Sequence, residues 1–205
     1  MNTQIDFFEK RINKELEKVF VDEEPRSLFD PPAYVLSLGG KRIRPILTLM
    51  AADLFEKDIE AAVNPALAVE IFHNFSLLHD DLMDKADLRR GSETVHKKWS
   101  DNTAILSGDA MVIESYKYIS KAPHVYLPEL LEVFSDTAMD ICIGQQLDMD
   151  FEQRMDVTED EYLNMIRLKT AVLIGCSLKL GAIVSDASVE DLEALYQFGI
   201  NLGLA

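Results

Sequence analysis

The sequence predicts an all-α fold. Helix-forming residues dominate its 205 positions, and the alternation of apolar and polar residues that marks strands is nearly absent. Prolines and glycines separate long segments of helical periodicity, and no internal repeat, linker or low-complexity segment interrupts them. We therefore expect a single helical domain that spans residues 1–205.

The positions of these breaks predict the helix boundaries. The first segment, residues 3–21, is amphipathic and charged, which is not typical of a signal peptide. The fourth segment, residues 60–86, is strongly apolar in its middle, so we expect it to be buried. The other predicted helices are 29–38, 43–56, 102–121, 127–152, 158–184 and 188–205. Thr158 and Ser188 begin the last two, because each has an acidic residue three positions later that completes a capping box.

The end of the chain is unusual. The segment VEDLEALYQFGINLGLA remains amphipathic up to Ala205, without a polar tail or a helix-ending residue. We expect the chain to be cut within a core helix, as part of a longer protein.

Composition limits the classes of function. The chain is 48% hydrophobic but has no run of about 18 uncharged apolar residues, so we expect a sizeable core and no membrane span. Cys142 and Cys176 lack the spacing of a zinc site and are expected to be buried thiols in a reducing cytoplasm. A formal net charge of −16 argues against binding to nucleic acid or to an anionic membrane. An anionic substrate would therefore depend on metal ions and on a few local lysines and arginines.

The most informative segment is HNFSLLHDDLMDKADLRRG, residues 73–91. At 3.6 residues per turn, Asp80 and Asp84 project from one helix face, and Asp81 lies one turn from Asp84. Crowded carboxylates repel one another unless a cation or a proton intervenes, and Mg²⁺ takes carboxylates together with water and phosphate oxygens. Arg89 and Arg90 follow, and guanidinium groups match phosphate oxygens.

A solvated acidic patch is the ordinary explanation for such a cluster. The residues before it, Ala66–Leu78, are too apolar for a solvated helix, so the carboxylates lie at the end of a buried one. This setting favours a magnesium site formed by Asp80, Asp81 and Asp84.

A second basic segment is GGKRIRP, residues 39–45. It combines a flexible glycine pair with Lys41, Arg42 and Arg44 at the start of a helix, where phosphates bind well. A basic helix start on the surface is the alternative. His73 shares the face of Asp80, two turns earlier, although a single helical histidine is more often a packing residue.

Two polar groups interrupt apolar helices further along. Gln145 or Gln146 stands close to Asp148, which is either a metal or supporting residue or a surface aspartate. Lys169 and Thr170 interrupt the apolar run MIRLKTAVLIG. A buried lysine without a partner is costly and would tend to lose its proton, so the ordinary explanation is that Lys169 extends its amine to the surface.

Taken together, these motifs resemble those of the trans-type polyprenyl diphosphate synthase family. The resemblance covers the chain from Gly39 onward and matches the N-terminal two-thirds of the family. It rests on GGKRIRP, HNFSLLHDDLMDKADLRRG, LSGDA, GQQLDMDFE and LKTAVLIG, in that order. It implies a single-domain bundle of the isoprenoid synthase type around a central cavity.

The resemblance also implies a reaction, the Mg²⁺-dependent condensation of isopentenyl diphosphate with an allylic diphosphate. Lys41, Arg44, His73 and Arg90 would bind isopentenyl diphosphate, whereas Arg42 would serve the structure. Asp80, Asp81, Asp84 and Asp148 would form the metal group. Arg89, Lys169, Thr170 and Gln145 would contact the allylic substrate, with Asp80, Asp84, Arg89 and Lys169 taking part in catalysis.

The same resemblance bears on the product and on the partners. Phe75 occupies the position at which an aromatic residue limits chain length in short-chain enzymes, and the small Ser76 at the next position disfavours the farnesyl product. We expect geranylgeranyl diphosphate, made from dimethylallyl, geranyl or farnesyl diphosphate. The family also implies a cytoplasmic homodimer.

Two other functions are compatible with parts of the sequence. The family's second aspartate-rich motif is absent, which would suit a non-catalytic subunit that regulates a catalytic partner. The intact DDLMD, the paired arginines and the Lys-Thr pair argue against that interpretation. A terpene cyclase would not need GGKRIRP, because it binds no second diphosphate. Without the second motif, we expect this chain alone to be inactive.

Overall fold

The computed structural model describes residues 2–56 and 58–205 and confirms the all-α fold. The helices of this part of the chain are α1 (Asn2–Leu16), α2 (Arg26–Ser37), α3 (Ile43–Leu54), α4 (Glu60–Met83), α5 (Val95–Lys98), α6 (Asp101–Ile119), α7 (Leu127–Phe151), α8 (Glu159–Ile166), α9 (Val172–Ile183) and α10 (Val189–Leu204). A 3₁₀ turn precedes α7, and a π-helical segment, Arg167–Ala171, joins α8 to α9. None of these helices is both long and apolar enough to cross a membrane.

The described residues form two compact units. The first consists of those in Met1–Ile46 and Leu67–Lys121, and the second of those in Leu47–Ala66 and Ala122–Ala205. Each unit has its own buried apolar side chains.

In the first unit, the apolar part of α4 supplies much of the core. Leu67, Val69 and Ile71 are fully or almost fully buried, as are Phe8 and Ile12 of α1. Helix α2 packs against α6. The carboxyl-terminal part of α4, which carries the aspartates, is therefore supported by a rigid core.

In the second unit, α9 is apolar on all sides and almost entirely buried. A helix with this composition must be surrounded by other elements. Helices α7 and α10 and the π segment pack against it. Leu130 and Phe134 of α7 and Leu180 of α9 are among the fully buried side chains. Cys176 is buried as predicted, whereas the prediction for Cys142 is wrong, because that residue lies on the exposed side of α7.

Two predicted helices end earlier than expected. The helix predicted for 3–21 ends at Leu16, and the one predicted for 60–86 ends at Met83. Phe20 and Lys85 adopt positive φ angles of 66° and 53°. An L-residue in the left-handed region cannot continue a right-handed helix, so both runs stop.

Helix α2 begins earlier than predicted and contains two prolines. It starts at Arg26 instead of residue 29, with Pro31 and Pro32 inside it. Pro32 has no N–H to donate to the carbonyl of Leu28, four residues earlier. The Ser107 hydroxyl of α6 donates to that carbonyl at 3.2 Å, so a neighbouring helix supplies the missing donor.

A short hairpin after α4 was not predicted. Strands β1 (Leu88–Arg89) and β2 (Ser92–Glu93) pair antiparallel across a two-residue turn. Both turn residues, Arg90 and Gly91, have positive φ angles, 53° and 80°, as two-residue hairpin turns of type I′ require. Arginine is unusual at such a position, so the sequence did not indicate the turn.

The two predicted capping positions are confirmed. Thr158 and Glu161 form a reciprocal capping box at the start of α8. The Ser188 side chain accepts from the backbone N–H of Asp191 at the start of α10. The helix predicted for 158–184, however, is interrupted by the π segment Arg167–Ala171.

Candidate functional site

The carboxylates of the aspartate motif lie at the carboxyl end of α4. The backbone N–H of Asp84 donates to the carbonyl of Asp80 at 2.9 Å, so the helical turn extends to Asp84. Asp80 and Asp81 are largely buried, with side chains 19% and 7% exposed, whereas Asp84 is exposed. Asp80 and Asp84 thus share one helix face that opens to solvent.

The hairpin places Arg89 against this helix end. Its Nη2 and Nε donate to Asp81 at 2.6 and 3.0 Å, and Nη2 lies 4.0 Å from Asp80. The hydrogen bond to Asp81 is the main cause that raises the pKa of Arg89. In this state Asp81 is engaged by an arginine, and Asp80 and Asp84 are the carboxylates that the helix presents.

The residues at the helix end fit a magnesium ion. Mg²⁺ commonly takes one or two protein carboxylates and fills its other positions with water and phosphate oxygens. Asp80 and Asp84 supply two such carboxylates, one turn apart. Within residues 2–56 and 58–205, no group of three or more His, Cys, Asp or Glu side chains is arranged to hold a metal. Asp80 and Asp84 alone would leave the other coordination positions of such an ion to water or to phosphate oxygens.

The GGKRIRP loop forms a basic cavity in the same unit. The cavity has a volume of about 450 Å³ and is bordered by Lys41, Arg44, His73 and Arg90, among others. Helix α4 supplies His73, the hairpin turn supplies Arg90, the loop supplies Lys41, and the first turn of α3 supplies Arg44. The structure thus brings together the four residues predicted to bind isopentenyl diphosphate.

His73 is held in its neutral form in this cavity. Burial lowers the pKa of His73 well below its ordinary value near 6.5, and the positive charges of Arg44 and Arg90 lower it further. Arg44 Nη1 lies 3.1 Å from His73 Nε2. Because an arginine only donates, Nε2 accepts and the proton is on Nδ1. His73 therefore orients Arg44 without adding a charge.

Arg90 packs directly against the loop at Gly40. A Cβ at Gly40 would lie 2.8–2.9 Å from the guanidinium atoms of Arg90. Gly40 also has a φ of +138°, in a region that glycine tolerates best. The absence of a side chain at Gly40 therefore lets the cation approach the loop.

In the second unit, Lys169 lies in the π segment and has an anionic partner. Its Nζ donates to Asp148 Oδ2 of α7 at 2.6 Å, with both side chains partly exposed. Gly144 makes this possible, since a Cβ there would collide with the backbone of Lys169. Gln145 and Thr170 are partly buried nearby in the sequence. Of the four predicted site residues in this unit, the structure thus pairs the two charged ones, Lys169 and Asp148.

Phe75 and Ser76 occupy α4 between His73 and the aspartates. The Phe75 ring packs edge-on against Phe72 and His79, with ring centroids 5.2 and 4.8 Å apart. The Ser76 hydroxyl donates to the carbonyl of His73 at 2.8 Å. The Phe75 ring is therefore held in place by two neighbouring rings, whereas Ser76 is small and bonds to the backbone of its own helix.

Sequence reasoning missed two contributors to the site. Glu70 is buried beside the basic cavity and pairs with Arg42 at 2.6 Å. A single carboxylate within the apolar run Ala66–Leu78 was a signal that could have found it, because a buried charge needs a partner. Gly144 gave no such signal, since its role depends on which backbone passes beside it.

The fold and the site define a helical-bundle protein with carboxylates at the end of one helix and a cavity bordered by cationic side chains. The chain belongs to the polyprenyl synthetase family, whose sequence profile matches residues 25–205. It is 42% identical over 182 residues to a geranylgeranyl diphosphate synthase of Methanosarcina mazei, covering 88% of this chain and 56% of the relative. It is 40% identical over 199 residues to a geranylgeranyl pyrophosphate synthase of Geoglobus acetivorans, covering 95% and 62%.

A solved structure of a relative supports the same family membership. A crystal structure of a geranylgeranyl pyrophosphate synthase matches with a TM-score of 0.95 and 52% identity, covering 98% of this chain and 61% of the other. The chain thus spans about three-fifths of the length of the proteins it matches.

Proposed function

We propose that the protein is a short-chain prenyl diphosphate synthase that joins an allylic diphosphate to isopentenyl diphosphate. The observation that carries the proposal is the basic cavity. Lys41, Arg44 and Arg90 border it together with a neutral histidine, within a protein whose net charge is −16. A cluster of cationic side chains in an otherwise acidic protein is suited to bind a diphosphate. The names of the relatives support the same activity.

In this proposal, the basic cavity holds the diphosphate of isopentenyl diphosphate. Arg44, held by His73 Nε2, presents a fixed guanidinium fork. Arg90 approaches from the hairpin turn and Lys41 from the loop. The anchored substrate then presents its double bond to the allylic carbon.

Asp80 and Asp84 would hold Mg²⁺, which when bound supplies positive charge to the departing diphosphate. Arg89 adds a fixed guanidinium at the same helix end and stabilises negative charge as it develops. In this structure Asp81 orients Arg89. Asp81 remains a proposed ligand of the metal ion, and it would have to release Arg89 in order to bind the ion. For Lys169, Thr170, Gln145 and Asp148, we propose the substrate and metal roles that the family resemblance implies.

The test is condensation by the full-length protein. Radiolabelled isopentenyl diphosphate is incubated with dimethylallyl, geranyl or farnesyl diphosphate, with Mg²⁺ or with excess EDTA, and products are separated by length. We expect Mg²⁺-dependent incorporation from at least one allylic substrate. If the protein binds isopentenyl diphosphate but makes no longer prenyl diphosphate from any of the three, the proposal is wrong.

We further propose geranylgeranyl diphosphate as the main product, with Phe75 limiting its length. Phe75→Ala should shift the distribution to longer chains, because removal of the ring opens space beside the aspartates. The buried neighbour Phe72, 3% exposed, gives the control Phe72→Ala. That change should destabilise the core without lengthening the product. An unchanged distribution in Phe75→Ala would mean that another residue sets the length.

A further inference from the structure

Arg42 stands between Lys41 and Arg44 in the sequence but has a different environment. It is 5% exposed, whereas Lys41 is exposed. Although Arg42 borders the basic cavity, its guanidinium donates to protein groups. Nη1 donates to Glu70 at 2.6 Å, Nη2 to the Leu36 carbonyl at 2.7 Å and Nε to Asn13 Oδ1 at 3.1 Å.

These three hydrogen bonds join the loop to three helices. Asn13 belongs to α1, Leu36 to α2 and Glu70 to α4. Glu70 is itself fixed, because Asn74 donates to its side chain at 3.0 Å and to its carbonyl at 2.8 Å. Arg42 therefore connects the loop to a rigid frame.

The loop needs such a connection because Arg42 has a positive φ angle of +48°, whereas the other positive φ angles of the loop belong to Gly39 and Gly40, which tolerate them. Conformations in this region, which cost an L-residue free energy, persist when the surrounding structure holds them. The carbonyl of Arg42 also accepts from Ile46 in the first turn of α3, so Arg42 fixes the start of the helix that carries Arg44.

Glu70 contributes a second effect through its charge. Burial lowers the pKa values of Arg44 and Arg90, and the negative charge of the buried Glu70 carboxylate offsets part of that effect. The Arg42–Glu70 pair thus adds structure at the cavity without adding net positive charge.

We infer that Arg42, locked by Glu70, Leu36 and Asn13, is a positioning residue that sets the affinity for isopentenyl diphosphate without contacting it. This inference rests on the proposed function. Arg42 holds the loop so that Lys41 and Arg44 face the diphosphate at fixed positions.

The test is isothermal titration with isopentenyl diphosphate. Arg42→Lys keeps the charge but cannot make three hydrogen bonds in the directions of a guanidinium. We expect the Kd to rise about tenfold or more, as for the loss of a charged hydrogen bond. Asn13→Ala, which removes one of the three bonds, should raise it by a smaller factor. The control is Arg26→Lys, which alters an exposed arginine paired with Asp30 on α2 and should leave the Kd unchanged.

The binding stoichiometry separates positioning from folding. If Arg42 were needed only for stability, its substitution would lower the number of binding sites per chain and leave the Kd of the folded molecules unchanged. That result, or equal Kd values for the wild type and Arg42→Lys, would overturn the inference and leave the proposed function intact. Failure of the wild type to bind at all would instead overturn the proposed function, and the inference with it.

A double-mutant cycle tests whether Asn13 acts on the affinity through Arg42. If Asn13 acts only through Arg42, Asn13→Ala should have no further effect on the Kd in the Arg42→Lys background. Independent, additive effects of the two changes would contradict the mechanism.

Discussion

Neighbouring residues of one motif have different environments. Lys41 and Arg44 border the basic cavity as candidate ligands, whereas Arg42 is buried and gives its donors to three helices. His73 is neutral and accepts from Arg44. At the scale of the residue, chemistry therefore depends on which partners each side chain meets.

Gly40 provides a prediction at this scale. Gly40→Ala should raise the Kd for isopentenyl diphosphate about tenfold, because a methyl group would displace the Arg90 guanidinium. Gly39→Ala is the matched control, since Gly39 has a positive φ but no neighbour within 4 Å of an added Cβ. Titration of both variants measures the difference. The Gly40 effect should vanish in an Arg90→Ala background, and its persistence there would contradict the explanation.

His73 provides a prediction about pH. Its pKa in the folded protein is lowered, so below about pH 6.5 the unfolded chain binds a proton that the folded protein does not. Stability is therefore unaffected above pH 6.5 and falls as the pH is lowered through that value. The cationic neighbours Arg42, Arg44, Arg89 and Arg90 all act in this direction.

Urea unfolding at pH 7.5, 6.5 and 5.5 measures this effect. Relative to His73→Gln, the wild type should lose about 1 kcal/mol between pH 6.5 and 5.5. His124→Gln makes the same substitution at an exposed position and serves as the control. Parallel pH profiles for the wild type and His73→Gln would show that His73 is not held neutral.

At the scale of the element, α4 and the π segment decide where the site residues lie. Helix α4 carries Glu70, His73 and Asp80 at intervals of three and seven residues, so they recur on neighbouring parts of one face. Lys169 lies in the π segment, where its side chain bonds to Asp148 of α7. Such segments are often found at functional sites.

The approach of α7 to the π segment gives a testable prediction. In an open helix, Gly→Ala stabilises by about 1 kcal/mol. At Gly144 the same change should destabilise the protein by about 1–3 kcal/mol, because the added methyl group would meet the backbone of Lys169. Thermal or urea unfolding measures it, with Glu132→Ala on the same helix as control. Stabilisation of Gly144→Ala would show that the two segments are not in close contact.

At the scale of the whole molecule, charge is unevenly distributed. The chain has 36 acidic and 20 basic residues, yet several of the latter border a single cavity. Screening at physiological salt limits the effect of distant charges to about 8 Å. Binding of an anionic substrate is therefore compatible with an acidic protein.

The activity of the whole protein depends on the aspartates if the proposed function is right. Asp80→Ala or Asp84→Ala should lower kcat about a thousandfold, since the charge supplied to the leaving group is lost. Circular dichroism should show unchanged helix content. Asp87→Ala is the control, because Asp87 is a largely exposed carboxylate paired with Lys97 just beyond the motif. Turnover close to wild type in either motif variant would contradict the metal assignment.

The sequence by itself determined the helical class, most helix positions and the family. Helical periodicity, capping residues and proline or glycine breaks are local, so they can be recognised without knowledge of distant contacts. The capping positions at Thr158 and Ser188 were predicted for this reason. The motif spacing likewise indicated Asp80, Asp84 and the basic loop.

Tertiary structure alone decided how the charged groups are paired. Arg42 meets Glu70 across 28 positions of sequence. Arg89, in the first strand of the unpredicted hairpin, meets Asp81 at the end of α4, and Lys169 of the π segment meets Asp148 of α7. These pairings depend on which backbones pass beside one another, and that follows from the packing of whole helices. A local pattern can show that a buried charge needs a partner, but only the packed helices determine which partner it meets.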